Sequence, residues 1–389
     1  MGGVFSHDPP FRLRARFAWS ELLRRPILSN PITDTPIVGT PQSSYGETYI
    51  PGSEDLGDSE IRVTVLGSGD PWPRRSQASG SLVVEVGNKE QDFFFLDLGS
   101  CALMNFSGLH LPVTGTTKLF LSHLHADHIG DVPGLLGSLG KSGRVDPVEI
   151  WGGGSDDPDL GVAAYVEHQT KALAWDTMSV RGANFTTGME AIAHELPYDR
   201  PDMVYERNGV KISSFPVIHG LNGAVGYKIE YAGLSVVFSG DTRPCRYVVE
   251  AAQGADLLIH ECFQSPAVVA KIMGVAPEMA EKLVKSAHTV PDQAGRVFAM
   301  AEPRMAALWH LDLRPGTDHV LAEIGHNYQG PVVVSQDLTV YNVTSDSVVA
   351  RQVTLDPMAP IIKGPTQTEG QLDAPNTPPS WWADALLDV

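Results

Sequence analysis

The chain has 389 residues, 42% of them hydrophobic, and a formal net charge of −18 from 28 basic and 46 acidic side chains. This length accommodates one large domain or two smaller ones, and no run of about 18 apolar residues is present, so no transmembrane helix is expected. Such an acidic surface repels phosphate backbones, and nucleic acid is therefore disfavoured as a partner unless basic residues are locally concentrated.

The N-terminal region and the cysteines give little information about compartment. Residues 1–60 are rich in Pro, Ser and Arg, and we predict an extended arm that lies on the body or on a partner subunit, with disorder as the alternative. Cys101, Cys245 and Cys262 form no CxxC pair, and we expect them to be small core residues. No signal peptide is visible, so a soluble protein of the cytoplasm or the periplasm is expected.

Folded structure is predicted to begin at Ile61. Three β-rich segments, 61–71, 79–88 and 92–100, are separated by glycine-containing turns and predict a β-meander that forms one half of a sandwich. Asp97 lies at the end of the Phe-rich third segment. Its carboxylate either caps a turn or supports the loop that follows the next strand.

The segment KLFLSHLHADHIGD (118–131) organises the rest of the chain. Lys118–Leu121 is typical of a buried strand, and His123, His125, Asp127 and His128 follow it directly. Four potential ligands within six residues cannot all point the same way, so the loop is able to hold two cations close together. Imidazole and carboxylate without a nearby thiolate suit zinc or a similar divalent metal. A helix over 131–139 is predicted after the loop.

Further ligand-type residues lie near the ends of later apolar strands. This placement repeats that of the first cluster, which makes it informative where an isolated His or Asp would not be. A histidine alone is more often a core or surface residue than a ligand. The residues concerned are His219, Asp241, the pair His260 and Glu261, and His310, while His288 precedes a predicted helix.

The segments on either side of this pattern are less regular. Residues 161–176 have the spacing of an amphipathic helix, and the Gly152–Gly154 run lacks the lysine of a phosphate loop. Trp151, Trp175 and Tyr198 are candidate pocket walls, although aromatic residues are more often core. Residues 356–389 form a Pro-rich tail that we expect to dock through Trp381 and Trp382, on its own body or on another subunit.

From about Ile61 to Val343 the chain resembles the ribonuclease Z-like branch of the metallo-β-lactamase superfamily. The resemblance implies an α+β fold, the four-layer αββα sandwich, for a catalytic domain that we place at 61–355, with the metals at one edge between the sheets. The motifs that carry it are SHLHADH at 122–128, HGLNGAVGY at 219–227, SGDT at 239–242, HECF at 260–263, SAHT at 286–289 and WH at 309–310.

The same resemblance implies the roles of the site residues. Two Zn²⁺ ions are expected per chain, with Mn or Fe as alternatives. Asp127 is expected to orient the nucleophile as well as to bind metal, and His288 is expected to donate a proton. His123, His125 and His219 would hold one ion, Asp127, His128 and His310 the other, Asp241 would bridge them, and Asp97, His260 and Glu261 would support the ligands.

The chain departs from ribonuclease Z between His219 and Asp241. That family carries a tRNA-clamping arm there, whereas here 21 residues suffice only for a hairpin. The N-terminal part is more similar to bacterial small-molecule metallohydrolases of the guanitoxin-biosynthesis type. We therefore expect a dinuclear zinc hydrolase of a small organic substrate, such as an ester, lactone, amide or sulfate, with a pocket shaped by residues 140–210, Asn222 and the Arg243 loop.

Two alternatives stay open at this point. One is a ribonuclease Z-like phosphodiesterase or nuclease, and the other is a non-catalytic binding subunit, which the complete set of ligand positions disfavours. The expected partner is a small-molecule substrate, with no membrane. A homodimer formed through the terminal arms is a further hypothesis.

Overall fold

The computed structural model describes residues 46–183, 186–362 and 374–387. Its strands form two sheets that pack face to face. The sixteen strands in these ranges are β1 (Thr48–Tyr49), β2 (Ile61–Gly67), β3 (Ser81–Val86), β4 (Phe93–Leu96), β5 (Lys118–Phe120), β6 (Val148–Gly153), β7 (Ala191–Leu196), β8 (Asp202–Arg207), β9 (Val210–Pro216), β10 (Val225–Tyr231), β11 (Leu234–Phe238), β12 (Leu257–Glu261), β13 (Met305–Trp309), β14 (Val332–Val334), β15 (Thr339–Val343) and β16 (Val348–Val353).

The first sheet has nine strands in the order β1-β16-β15-β2-β3-β4-β5-β6-β7, and the second has seven in the order β14-β13-β12-β11-β10-β9-β8. Helices cover both outer faces, which confirms the predicted αββα layering. The helices are α1 (Ala102–Ser107), α2 (Ala126–Ile129), α3 (Val132–Gly134), α4 (Val162–Ala172), α5 (Ala174–Ser179), α6 (Arg246–Ala252), α7 (Pro266–Met273), α8 (Pro277–Ala287), α9 (Pro291–Ala301), α10 (Asp318–Gly325) and α11 (Trp381–Ala385).

Alternation of side chains along β4 shows how the sequence produces these layers. Phe94 points between the sheets, where it contacts Phe120 and Tyr205 edge to face. Phe93 and Phe95 point to the other side and pack against α1. Successive residues of a strand face opposite sides, so one apolar run supplies two cores.

Strand direction places the carboxyl ends of many strands at one edge of the sandwich. Strands β4 to β7 run parallel to one another, and so do β11 to β14. The ligand motif at 123–128 follows β5, and the remaining predicted site residues lie at or just after the ends of β4, β9, β11, β12 and β13 and of α8. The fold therefore brings distant parts of the chain to one edge, as ligand sites of open α/β sheets also require.

Three details differ from the sequence-based predictions. The helix predicted over 131–139 is a short α3 followed by a π-helical turn at Leu135–Leu139, since Pro133, Gly134 and Gly137 weaken regular helix. The helix predicted over 161–176 divides into α4 and α5 at Leu173. Cys101 is exposed rather than core and has a left-handed backbone, with φ of 71°.

The first described residues and the segment that ends at Ile362 both contact the body. Strand β1 pairs in parallel with β16, and Val113 N donates a hydrogen bond to Ile362 O at 2.9 Å. Trp381 and Trp382 are 62% and 53% exposed, so these rings are not buried on the body of the same chain. Residues 1–45 lie outside the described residues, so the boundaries at 60 and 355 stay predictions.

Candidate metal centre

The loop after β5 is held by Asp97, which lies at the end of β4. Ser122 donates to its carboxylate through both its backbone N–H and its hydroxyl, each at 2.6 Å, and His128 Nδ1 lies 2.8 Å from Oδ2. Asp97 is fully buried and has a left-handed backbone, with φ of 55°. Burial raises its pKa, while His128 and Ser122 oppose that shift. These contacts fix the orientation of the His128 ring, which is the supporting role predicted for Asp97.

Three histidines form a first cluster, which we call the cavity-side triad: His123, His125 and His219. Nε2 of His123 lies 2.9 Å from Nδ1 of His125, and that atom lies 3.1 Å from Nε2 of His219. His219 comes from the loop between β9 and β10, and its Nδ1 donates to Ala287 O at 2.8 Å. His125 is exposed, whereas the other two are buried.

A second cluster, the core-side triad, consists of Asp127, His128 and His310. Oδ2 of Asp127 lies 3.1 Å from Nε2 of His310 and 3.3 Å from Nε2 of His128. All three residues are buried, and both imidazoles are fully so. Trp309 packs beside both rings, which places this triad against the core between the sheets.

Asp241 lies between the two triads, at the end of β11. Its Oδ2 is 3.9 and 3.7 Å from Nε2 of His123 and His219, and 3.5 and 3.3 Å from Nε2 of His128 and His310. One carboxylate therefore contacts both clusters. This is the position expected of a ligand that bridges two cations.

The seven predicted ligands fit a pair of divalent cations. Nε2 of His128 and Oδ1 of Asp241 are buried without a hydrogen-bond partner among the described residues, and a buried polar atom without a partner is costly. The ligand atoms of each triad lie within 4.8 Å of one another. Nitrogen and carboxylate ligands without thiolate suit zinc, and also manganese or iron. The assignment of individual residues to two ions stays a prediction.

The electrostatics of the two triads differ. Burial lowers the pKa of His123 well below its usual value and that of His219 to about 4. Burial also acts to lower the pKa of His310, but the carboxylates of Asp241 and Asp127 outweigh it and raise that pKa to about 9. The carboxylates of Asp127 and Asp241 thus both face the core-side imidazoles, and a bound cation would take the place of the protons that they favour there.

His288 lies beside the ligands at the end of α8. Its Nδ1 is 3.0 Å from Oε1 of the fully buried Glu261 and 4.0 Å from Oδ2 of Asp241. Phe263 stacks on the ring, with centroids 4.3 Å apart and planes 17° apart. These contacts fix the plane of the imidazole, and Nε2 has no hydrogen-bond partner among the described residues.

Other site residues differ in how well the sequence located them. His260 points away from the ligands, because its Nδ1 contacts the Glu261 carbonyl at 2.6 Å and its ring packs on Phe298. Neither of these contacts is with a predicted metal ligand, so they do not support the role predicted for His260. Trp151 is core and stacks on Phe120, and Trp175 is 82% exposed, so neither lines a pocket.

Two contributors were missed in the sequence. Ser122 precedes the ligand motif directly, and its position was the only available signal. The role of the Ala287 carbonyl could not be predicted from the sequence, because every residue has a backbone carbonyl.

A cavity of about 370 Å³ opens beside the cavity-side triad. Its lining includes Asn222, as predicted, but Arg243 does not take part. Residues 152–168 supply the wall from the 140–210 segment. A substrate bound over the metals therefore has room to extend on this side.

Comparison with known proteins agrees with this architecture. The family described as "Beta-lactamase superfamily domain" matches residues 110–311. Ribonuclease Z of Mycobacterium avium is 30% identical over 246 residues, which cover 62% of this chain and 82% of that protein. Ribonuclease Z of Methanosarcina acetivorans is 26% identical over 311 residues, covering 72% and 96%.

Solved structures show the same fold at lower identity. YhfI of Bacillus subtilis superposes with a TM-score of 0.55 at 21% identity and covers 73% of this chain and 99% of that one. The short form of human tRNase Z superposes with a TM-score of 0.52 at 19% identity, covering 72% and 98%. The chain therefore belongs to the metallo-β-lactamase superfamily, in its ribonuclease Z-like branch, and is a metal-dependent hydrolase.

Proposed function

We propose that this protein is a dinuclear zinc phosphodiesterase of the ribonuclease Z type. The expectation of a small organic ester, lactone or amide as substrate receives less support from the relatives, whose name is that of a ribonuclease. A net charge summed over the whole chain does not describe the charge of one cleft, so the acidic composition leaves a nucleic-acid substrate open.

The observation that carries the proposal is the pair formed by Glu261 and His288. Hydrolysis of a phosphodiester with an alcohol leaving group benefits strongly from a proton donor, because the departing alkoxide is very basic. Glu261 contacts Nδ1 of His288, so Nε2 is the atom able to give a proton to the leaving oxygen. The Phe263 stack holds the ring plane while that transfer occurs.

The remaining roles follow from position. When bound, two divalent cations lower the pKa of water and neutralise charge that develops on the phosphoryl oxygens. Asp241 and the two triads would hold them, and Asp127 would in addition orient the nucleophile. His288 follows α8, whereas His123 to His128 follow β5, so the proton donor and this first group of ligands come from different elements.

The test uses two leaving groups. Zinc-loaded protein would be assayed on bis(p-nitrophenyl) phosphate and on precursor tRNA, with His288→Gln as the variant. Since p-nitrophenolate leaves without a proton, its release should change little, whereas RNA cleavage should fall by about 10²–10⁴-fold.

The matched control is His194→Gln. His194 also contacts a glutamate, with Nε2 3.0 Å from Oε2 of Glu149, but it lies at the far edge of the first sheet. It should leave both activities unchanged. Equal losses on both substrates in His288→Gln, or no phosphodiester hydrolysis by the unmodified protein, would contradict the proposal.

A second candidate is the small-molecule hydrolase expected from the sequence. The short connection between His219 and Asp241 favours it, since β10 and β11 form a plain hairpin there with no protruding arm. Hydrolysis of esters or lactones by the zinc-loaded protein, without turnover of either phosphodiester, would support this candidate.

A further inference from the structure

The cavity beside the cavity-side triad has the size and the lining of a small-molecule site. Its volume of about 370 Å³ falls within the roughly 300–1,000 Å³ of typical small-molecule sites. Apolar side chains dominate its lining, and His123, His125 and His219 form the wall nearest the metals. The apolar contributors are Leu121, Leu124, Leu160, Tyr165 and Leu221.

Glycine backbone forms another wall of the cavity. A Cβ on Gly153 would meet the Gly223 carbonyl at 1.9 Å, and Gly223 itself has a left-handed φ of 114°. Asn222 and Tyr198 both donate to the carboxylate of Asp156, which ties the 219–224 loop to the end of β6. The cavity shape is therefore set by backbone contact and hydrogen bonds before any ligand arrives.

The hydroxyl of Tyr165 lacks a partner. Tyr165 lies on α4 and lines the cavity, and its oxygen is buried with no hydrogen bond among the described residues. Buried hydroxyl groups nearly always have a partner, because an unmade hydrogen bond inside a protein is costly. A ligand that carries an acceptor atom would provide one.

The cavity lining also restricts the charge of its ligand. Within the described part of the chain, no Lys or Arg lines it, whereas the carboxylate of Asp159 does. A phosphate held away from the metal-binding wall would therefore meet no Lys or Arg side chain in the lining. Leu160 and Leu221 are 52% and 74% exposed at the lining, so the chain presents apolar side chains to an incoming group.

Given the proposed phosphodiesterase function, we propose that this cavity binds an uncharged planar group attached to the scissile phosphate, with an acceptor atom on the Tyr165 hydroxyl. A nucleobase and an aryl ring share this chemistry. Flat walls of glycine and a tyrosine ring suit stacking, which tolerates many ring systems. The cavity would then select substrates by the group next to the phosphate.

The test is calorimetric binding to zinc-loaded protein, which needs no turnover. Three phosphomonoesters would be compared: ethyl phosphate, phenyl phosphate and thymidine 5′-monophosphate. Phenyl phosphate and the nucleotide should bind at least about tenfold more tightly than ethyl phosphate, because only they fill the cavity. A preference for the nucleotide over phenyl phosphate would identify a nucleobase site, and the reverse an aryl site.

Variants isolate the tyrosine hydroxyl. Tyr165→Phe should weaken binding of the nucleotide about tenfold and leave the affinity for phenyl phosphate unchanged, since the phenyl ring has no acceptor atom for the hydroxyl. Tyr205→Phe is the matched control, because its hydroxyl is also buried without a partner but lies in the core between the sheets. Leu221→Trp places a larger side chain in the lining, so it should weaken binding of both planar ligands more than binding of ethyl phosphate. Because Leu221 is exposed, this substitution should not disturb core packing.

The outcomes separate the two proposals. Failure of ethyl phosphate to bind would contradict phosphate recognition and thus the proposed function. Equal binding of all three esters, or equal effects of Tyr165→Phe and Tyr205→Phe on the nucleotide, would overturn the inference about the cavity.

Discussion

The two triads use similar ligands in opposite surroundings. The core-side triad is buried and lies against Trp309, with the ring of His128 held by Asp97. The cavity-side triad includes the exposed His125 and borders a cavity. Rigid support favours retention of a metal, whereas access favours exchange and contact with substrate. We therefore expect the core-side ion to be the more tightly held of the two.

The largest expected effect comes from removing one ligand of each triad. His310→Ala should leave at most about one zinc per chain and abolish turnover, because the core-side ion loses one of its few ligands. His125→Ala should also abolish turnover, but it should leave the slowly released ion in place. Elemental analysis and the kinetics of zinc release to a chelator would check this.

Two kinetic phases of zinc release are expected from the unmodified protein. The fast phase should be missing from His125→Ala and the slow phase from His310→Ala. Retention of both zinc ions in His310→Ala would contradict the ligand assignment, and the reverse order of phases would contradict the comparison between triads.

A smaller effect is expected from Asp97→Asn. The amide keeps the shape of the side chain but replaces one acceptor with a donor, which opposes both Ser122 and His128. Loss of such a supporting contact lowers metal affinity by about 10–100-fold. Competition titration with a chelator should locate this loss in the tightly bound ion, and an equal loss at both ions would argue against selective support.

A packing substitution tests the core side without replacing a ligand. A Cβ on Gly80 would lie 2.6 Å from Trp309 and 3.3 Å from His128. Gly80→Ala should therefore reduce the free energy of unfolding by about 1–3 kcal/mol, as overpacking does. Gly325→Ala, where a Cβ meets nothing within 4 Å, is the control in urea unfolding. Equal stability of the two variants would show that the side chains around Gly80 can shift to accommodate the added methyl group.

The smallest effect is expected on the cavity side. Asn222→Ala removes the hydrogen bond to Asp156 on an exposed loop, so stability should stay within about 0.5 kcal/mol. Binding of thymidine 5′-monophosphate should still weaken severalfold, because the loop forms part of the cavity wall. Unchanged binding would indicate that the glycine contacts alone position the loop.

The sequence indicated candidate site residues wherever a ligand-type side chain followed an apolar strand. His123 to His128, His219, Asp241 and His310 were located in this way, and the structure brings all of them together. Their convergence follows from strand order, because carboxyl ends of parallel strands meet at one edge. The family resemblance implied the αββα layering, and the β-rich segments from Ile61 predicted one half of a sandwich.

Other features depended on contacts that no local pattern records. The unpartnered Tyr165 hydroxyl is a property of a finished cavity, not of a helix sequence. His260 has a ligand-type side chain at a strand end, yet β12 turns it toward Phe298 and away from the metals. Side-chain direction alternates along a strand, so a shift of one residue decides which face a histidine reaches.

The end of α8 joins two working parts of the site. Ala287 accepts the hydrogen bond from His219, and the next residue is His288. A displacement of this helix would therefore move a metal-binding imidazole and the proton donor together. Damage there should give an enzyme that is wholly inactive, since neither part can be misplaced while the other keeps its geometry.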